Sequence, residues 1–140
     1  MSMSASTARS RVLIIEDDDA TAEILADIVG DLGYELRVAR GLGQIDAAFV
    51  PDVVISDLLV AQPRPEAARA YIETLRRRFG AVPLLLLTGH AWIVAEQADL
   101  SVDALILKPF DIDMLTDQIR QQLSSHGATD LPSLNVTRPT

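Results

Sequence analysis

Four short apolar runs, each followed by polar residues, constrain the fold of this chain more than any other feature. The runs VLII, VVI, LLLL and LIL precede, in that order, Glu16-Asp17, Ser56-Asp57, Thr88 and Lys108. Parallel strands that are buried on both faces read as near-continuous apolar runs, so this pattern predicts an open parallel sheet. Such sheets bind ligands beyond the carboxyl ends of their strands. We therefore expect three carboxylates, a hydroxyl and an ammonium group to meet in one crevice.

The length, cysteine count and charge of the chain exclude several classes of protein. A length of 140 residues with 49% hydrophobic content fits one domain with a sizeable core. The absence of cysteine excludes disulfides, thiolate metal sites and thiol catalysis. A formal charge of −8 argues against direct nucleic-acid binding, which depends on basic side chains. Neither a secretory signal nor a membrane-spanning run is evident, so we expect a cytoplasmic protein.

Strands and helices are predicted to alternate five times. Strands are expected at about residues 11–16, 35–39, 53–57, 84–87 and 104–107, and helices at about 20–32, 42–49, 65–79, 91–98 and 111–125. Residues 1–10 and 126–140 lack periodicity and are interpreted as flexible segments flanking a domain at 11–125. No output domain is predicted, which favours a stand-alone protein.

Three of the predicted helices carry more detailed expectations. The first is expected to bury one face, composed of Ile24, Leu25, Ile28 and Leu32. The last is expected to begin after a capping Asp111 and to bury a stripe composed of Ile112, Leu115, Ile119 and Leu123. The run Arg76 to Arg78 is interpreted as a solvated helix end that complements the helix dipole.

The acidic run Glu16 to Asp19 has two interpretations. Carboxylates at a strand-to-helix turn can cap the helix and complement its dipole. Glu16 and Asp17, however, stand at the strand end and should face the crevice. Magnesium takes oxygen ligands, so two or three neighbouring carboxylates also make a credible metal site.

Asp57, Thr88 and Lys108 are the remaining candidates. Asp57 could merely start a turn, but beside a metal its carboxylate could accept a phosphoryl group as an aspartyl phosphate. Thr88 precedes Gly89 and should present its hydroxyl at the sheet edge, unless it is simply a turn residue. Lys108 is the single lysine among twelve basic residues, which suggests a site that needs a compact ammonium rather than a solvent-facing strand end. The Lys108–Pro109 bond is compatible with a cis peptide.

The motifs VLIIEDD, DVVISD, LLLLTG and ALILKPF occur in an order and spacing that closely resemble the receiver domain of two-component response regulators. The resemblance runs from about Arg11 to Ser125. It implies a flavodoxin-like α/β fold with a doubly wound five-stranded parallel sheet, strand order 2-1-3-4-5, and five helices on both faces.

The resemblance also implies roles for the candidate residues. Asp57 would be the phosphoacceptor, and Glu16, Asp17, Asp57 and the main-chain carbonyl of Leu59 would bind Mg²⁺. Lys108 would bind a phosphoryl oxygen, and Thr88 would hydrogen-bond the phosphoryl group and report its presence. A histidine kinase or a histidine phosphotransfer protein would be the donor.

The implied output is an altered protein-binding face, commonly built from the fourth helix, fifth strand and fifth helix, or onward phosphotransfer. We expect a monomer or weak homodimer. Such a domain is a phosphoacceptor in signal transduction rather than an enzyme, although it can catalyse its own phosphorylation and dephosphorylation.

Two departures from the family pattern affect the expected readout. The loop after the phosphoacceptor reads LLVAQPRP rather than beginning with Met-Pro and continuing to Asp-Gly. Leu105 stands where the family often has Tyr or Phe, three residues before the lysine. Leucine has no polar ring tip to move between buried and exposed positions. We therefore predict that any conformational signal travels through loop and helix repositioning.

Two other functions fit parts of the pattern. The run Asp17-Asp18-Asp19-Ala20-Thr21 matches the first motif of haloacid-dehalogenase-like phosphatases, in which Asp17 would be the nucleophile. That interpretation leaves Asp57 without a role. The chain could also be a receiver-like binding module that is never phosphorylated and retains its acidic pocket for structure.

Overall fold

The computed structural model describes residues 9–60 and 64–127 as a five-stranded sheet with helices on both faces. The strands are β1 (Arg11–Ile15), β2 (Glu35–Ala39), β3 (Val53–Asp57), β4 (Leu84–Thr88) and β5 (Ala104–Leu107). The α-helices are α1 (Asp19–Asp31), α2 (Pro65–Phe79) and α3 (Ile112–Gly127), and two 3-10 segments cover Leu42–Gln44 and Ala91–Asp99. Among the described residues, no helix is both long and apolar enough to cross a bilayer.

All strand pairs are parallel, and the strand order is β2-β1-β3-β4-β5, which confirms the predicted topology. The register aligns the strand ends, because Asp57 pairs with Leu87 and Thr88 pairs with Leu107. The residues that follow β1, β3, β4 and β5 therefore lie along one edge of the sheet. The strands begin at the opposite edge.

The core lies on both faces of the sheet. Alternate residues of β3 belong to two different clusters of buried apolar side chains. Val54 packs with α2 in one cluster, whereas Val53 and Ile55 pack with α1 and α3 in the other. Every apolar residue of β3 is fully buried, as the near-continuous apolar run predicts for a parallel strand covered on two sides. A polar residue within such a strand must find its partner inside the protein.

Glycine, proline and a capping aspartate mark the ends of the helices. Gly33, which follows the C-cap Leu32 of α1, and Gly80, which directly follows α2, adopt positive φ angles of 91° and 65°. Pro65 lies in the first turn of α2. The Asp111 carboxylate accepts the N–H of Asp113 at 2.9 Å at the start of α3. The Lys108–Pro109 peptide bond is cis.

The expectation of five α-helices is wrong for the described residues, which contain three. In the region of the predicted second helix, Asp46 accepts the N–H of Ala48 through its side chain and that of Phe49 through its carbonyl. These bonds form a turn that competes with a helix. The predicted fourth helix is the 3-10 segment Ala91–Asp99, which begins with the bulky run Trp92-Ile93-Val94. Aromatic and β-branched residues lose side-chain freedom in α-helices.

Some expected side-chain environments also differ. Ile24 and Ile112 are about half exposed, so each stands outside the buried stripe of its helix. In α1 the fully buried positions are Ala22, Leu25 and Val29. The backbone of α3 continues two residues past the expected end at Ser125, to Gly127. The expected flexible segments, apart from residues 9–10 and 126–127, lie outside the described residues.

Candidate functional site

The four carboxylates after β1 divide into two pairs with different surroundings. Asp18 is the N-cap of α1, and its Oδ2 accepts the Thr21 N–H at 2.9 Å and the Thr21 hydroxyl at 2.8 Å. These hydrogen bonds lower the pKa of Asp18. Asp19 lies in the first turn of α1 and pairs with Arg40. The capping and dipole interpretation therefore accounts for the second pair, Asp18 and Asp19.

The first pair, Glu16 and Asp17, lies close to Asp57 of β3 at the carboxyl edge of the sheet. One carboxylate oxygen from each of Glu16, Asp17 and Asp57 lies within 4.8 Å of the others. Glu16 is buried, Asp57 is partly buried and Asp17 is exposed, so the cluster runs from the interior to the surface. The site can therefore be reached from solvent on the side of Asp17.

Lys108 joins this cluster from the end of β5. Its Nζ lies 3.0 Å from Glu16 Oε1 and 3.1 Å from Asp57 Oδ1, so one ammonium bridges two strand ends. Three carboxylates facing one lysine leave two excess formal negative charges. The four residues that the sequence predicts at one sheet edge are therefore close together, with Lys108 in contact with Glu16 and Asp57.

Burial and pairing shift the pKa values of this site. Desolvation raises the pKa of Glu16, although its hydrogen bonds with Lys108 and with the Asp18 N–H oppose the shift. Burial by itself would lower the pKa of Lys108, but its contacts with Glu16 and Asp57 outweigh that effect and raise it. Lys108 therefore remains a cation at neutral pH.

Thr88 lies at the same sheet edge and is fully buried. Its Oγ1 accepts the His90 N–H at 3.1 Å, and its carbonyl accepts the Lys108 N–H at 2.8 Å. No hydrogen bond in the described part of the chain joins Thr88 to Asp57. Because Thr88 Oγ1 acts as an acceptor, its own proton remains available for donation.

The loop after Asp57 packs inward as it leaves the strand. Leu58 is buried, and Leu59 and Val60 contact the core cluster that contains α2. The Leu58 N–H donates to Leu87 O at 3.1 Å, and the Val60 N–H donates to Leu58 O at the same distance. The unusual apolar sequence of this loop is thus used for packing. Residues 61–63 lie outside the described part.

Sequence analysis missed a polar contact directly before Asp57. Ser56 is buried in β3, and its Oγ lies 2.7 Å from the hydroxyl of Tyr71 in α2. Ser56 was identified only as part of a strand-end motif, and Tyr71 was not singled out. A polar residue in an otherwise apolar strand was the available signal, because buried hydroxyls require a partner.

The residues of this edge fit a hard divalent cation. Glu16, Asp17 and Asp57 offer carboxylate oxygens, which are the donors that Mg²⁺ prefers, and they carry more negative charge than Lys108 neutralises. The exposed side of the cluster leaves room for the waters that Mg²⁺ retains. Glu16, Asp17 and Asp57 are thus the residues that would hold the ion.

Comparison with curated proteins finds regulatory proteins. The chain is 31% identical over 118 residues to the transcriptional regulatory protein PdtaR of Mycobacterium tuberculosis, matching 81% of this chain and 57% of that protein. It is 28% identical over 122 residues to the regulatory protein AtoC of Escherichia coli, matching 84% of this chain and 26% of that protein. The match thus covers from about a quarter to a little over half of these relatives. No protein-family model matches the chain.

Comparison with solved structures finds the same fold. A CheY-like response regulator receiver domain protein from Methanospirillum hungatei superposes with a TM-score of 0.72 and 20% sequence identity, covering 86% of this chain and 98% of that one. This likeness extends over almost the whole of the solved chain, so the described residues share the fold of that receiver domain protein.

Proposed function

Because the chain folds as a receiver domain of the response-regulator type, we propose that Asp57 accepts a phosphoryl group in a magnesium-dependent reaction. The observation that carries this proposal is the contact of Lys108 with both Glu16 and Asp57 inside a cluster of three carboxylates. A purely structural ion pair would not need a second and a third acid. The excess negative charge favours a cation-dependent site.

In the proposed reaction, a carboxylate oxygen of Asp57 attacks the phosphorus atom of a phosphohistidine on a histidine kinase or phosphotransfer protein. A new O–P bond forms while the N–P bond breaks, and the imidazole nitrogen leaves. Such transfers depend mainly on positioning and charge neutralisation. A bound Mg²⁺ would supply charge neutralisation. Glu16 and Asp17 complete the set of acids that holds it, together with the Leu59 carbonyl that the resemblance adds.

Lys108 and Thr88 would stabilise the product. An ammonium group has three N–H donors, of which Glu16 and Asp57 engage two, so one remains for a phosphoryl oxygen. Thr88 retains a hydroxyl proton that a phosphoryl oxygen could accept after a small movement. Glu16 would also orient Lys108, since it is buried and accepts a hydrogen bond from the ammonium at 3.0 Å.

The output would be a change in protein binding, or transfer of the phosphoryl group onward. Exposed apolar side chains of Val94, Leu107 and Met114 lie around a groove formed by the second 3-10 segment, β5 and the start of α3. Leu105 also lines this groove and packs against the core. We propose that repositioning of these elements, without an aromatic flip, carries the signal. Unchanged positions in structures with and without a phosphoryl mimic would contradict this.

Magnesium-dependent phosphorylation by acetyl phosphate, followed by intact mass spectrometry, tests the function. We expect the unmodified protein to gain one phosphoryl group with Mg²⁺ and none with a chelator. Asp57→Asn should abolish the gain, whereas Asp19→Asn should retain it, because Asp19 pairs with Arg40 away from the cluster.

Two results would contradict the proposal in different ways. An unmodified protein that gains no adduct would indicate a binding module that is never phosphorylated, the alternative that Leu105 and the atypical loop favour. Steady release of phosphate that requires Asp17 and survives in Asp57→Asn would indicate a phosphatase.

A further inference from the structure

A chain of two buried hydroxyl groups leads from α2 to the backbone of Asp57. Tyr71 is 7% exposed and Ser56 is 1% exposed. The Tyr71 hydroxyl lies 2.7 Å from Ser56 Oγ, and Ser56 Oγ lies 2.7 Å from the carbonyl oxygen of Asp57. The three groups therefore form a continuous polar path through an apolar cluster.

Only one arrangement of protons makes both contacts hydrogen bonds. A carbonyl oxygen can only accept, so Ser56 must donate its single proton to the Asp57 carbonyl. Tyr71 must then donate to Ser56 Oγ. Burial raises the pKa of Tyr71 to about 12, so the phenol keeps its proton at physiological pH. Hydrogen bonds arranged in series in this way polarise and strengthen one another.

The path ends on a peptide unit that is held on both sides. Its carbonyl belongs to Asp57 and accepts from Ser56, while its N–H belongs to Leu58 and donates to Leu87 O at 3.1 Å. With both polar groups engaged, the plane of this peptide cannot rotate without breaking a hydrogen bond. The peptide directly follows the proposed phosphoacceptor and precedes Leu59.

A packing role alone does not require this arrangement. Phenylalanine would fill nearly the same volume in the apolar cluster without bringing a hydroxyl group that has to be desolvated. The Tyr71 hydroxyl is instead directed at a serine in the strand that carries Asp57. The contact joins residues on two different elements, so it fixes α2 relative to the end of β3.

We propose that Tyr71 is a positioning residue of the phosphoacceptor site, which acts through Ser56 to fix the peptide between Asp57 and Leu58. This inference rests on the proposed function. The directions of the Asp57 side chain and the Leu59 carbonyl matter only if Asp57 accepts a phosphoryl group and both groups bind the cation. The Tyr71 hydroxyl would limit the freedom of both groups before a cation or phosphodonor arrives. Its removal should weaken cation binding more than it disturbs the fold.

Direct measurement of Mg²⁺ binding by calorimetry, without any phosphodonor, tests this role. Tyr71→Phe should weaken Mg²⁺ binding roughly three- to tenfold, the effect expected from one lost hydrogen bond. Ser56→Ala should weaken it at least as much. The double variant should be no weaker than Ser56→Ala, because both residues act through one path. Tyr34→Phe, which changes the other tyrosine before β2, should leave the affinity unchanged.

A spectroscopic measurement separates positioning from general stability. With tyrosine labelled by ¹³C at Cζ, the protein gives two signals, and Tyr34→Phe identifies that of Tyr71. We expect Mg²⁺ to shift the Tyr71 signal and to leave the Tyr34 signal in place. Unchanged Mg²⁺ affinity in Tyr71→Phe, with or without reduced stability, would overturn the positioning role. Failure of the unmodified protein to accept a phosphoryl group would instead contradict the proposed function, even if the Mg²⁺ results held.

Discussion

At the edge where the strands begin, one arginine is surrounded by acceptors, whereas at the edge where they end, one lysine faces three carboxylates. Arg76 donates to the carbonyls of Ser101, Gly80 and Val82 and to Asp103 Oδ2, at distances of 2.8 to 3.2 Å. Asp103 Oδ2 also accepts the Leu84 N–H at 2.8 Å. This clamp of Arg76 and Asp103 thus joins the end of α2 to the segments that precede β4 and β5.

The two edges use the same kind of interaction for different purposes. At the Arg76 clamp the cation and its carboxylate balance, and three neutral carbonyls accept further hydrogen bonds from the guanidinium. At the Lys108 cluster the acids outnumber the cation, and Asp17 remains exposed. A balanced network stabilises the fold by itself, whereas a network with excess charge gains stability when it binds an ion of opposite sign. The following variants test this difference.

The largest loss of stability is expected at the clamp. Arg76→Met removes four hydrogen bonds, one of them to a carboxylate, and should lower the free energy of unfolding by about 3 kcal/mol. Denaturant unfolding measures the loss. Arg77→Met is the matched control and should cost less than about 0.5 kcal/mol because Arg77 is exposed. Weakened Mg²⁺ binding in Arg76→Met would contradict the claim that the Arg76 clamp stabilises the fold without contributing to cation binding.

Lys108→Met is expected to lower the free energy of unfolding by a smaller amount, which depends on pH. The change leaves buried Glu16 without its cation and should lower stability by about 2 kcal/mol at neutral pH. It also raises the pKa of Glu16 further, so the folded state binds a proton more strongly than the unfolded chain. Stability must then fall as the pH rises from the unfolded pKa of Glu16 to its raised folded pKa.

Unfolding curves of Lys108→Met at several pH values check this sign. The loss relative to the unmodified protein should shrink as the pH falls, because a protonated Glu16 does not need a cation. Adding Glu16→Gln to Lys108→Met should remove this pH dependence. A loss that grows on acidification would show that Glu16 is not the group responsible.

A still smaller loss of stability is expected in Asp18→Ala, since Oδ2 of this helix cap accepts two hydrogen bonds from Thr21. Thermal or denaturant unfolding measures it. Asp18→Asn should be nearly neutral because asparagine caps helices equally well. Both variants should bind Mg²⁺ like the unmodified protein, and reduced binding in Asp18→Asn would place Asp18 in the site.

The smallest change in stability without metal is expected from Asp17→Asn, at a few tenths of a kcal/mol, because Asp17 is exposed. Added Mg²⁺ should separate it from the unmodified protein. At a concentration one hundred times its Kd, Mg²⁺ should stabilise the unmodified protein by about 2.7 kcal/mol. Asp17→Asn should lose most of that gain at the same concentration, as measured by unfolding with and without a chelator.

The sequence was sufficient to predict the sheet order and the residues that meet at its carboxyl edge. Apolar runs located four strands, and the motif resemblance supplied their order. The strand-end position assigned Glu16 and Asp17 to the crevice, but the sequence did not show that Asp18 rather than Asp19 caps α1, because that depends on the turn into the helix. The number of α-helices was overestimated, since weak periodicity does not distinguish a 3-10 segment from an α-helix.

Contacts between distant elements were also beyond reach. Arg76 was interpreted as part of a solvated helix end, which fits exposed Arg77 and Arg78 but is wrong for Arg76. Its acceptors lie in the segment before β4 and in the segment before β5, and no local sequence pattern indicates these contacts. The contact between Ser56 and Tyr71 likewise depends on how α2 packs against β3.

The residue that carries the phosphoryl group is the most direct test of the central claim. Acyl phosphates are reduced by borohydride, so an aspartyl phosphate formed with acetyl phosphate and Mg²⁺ becomes homoserine at the modified position. Tandem mass spectrometry of peptides then locates it. We expect homoserine at position 57 and at no other aspartate, with none formed when Mg²⁺ is chelated. Homoserine at position 17, or no homoserine in a fully folded sample with Mg²⁺, would contradict it.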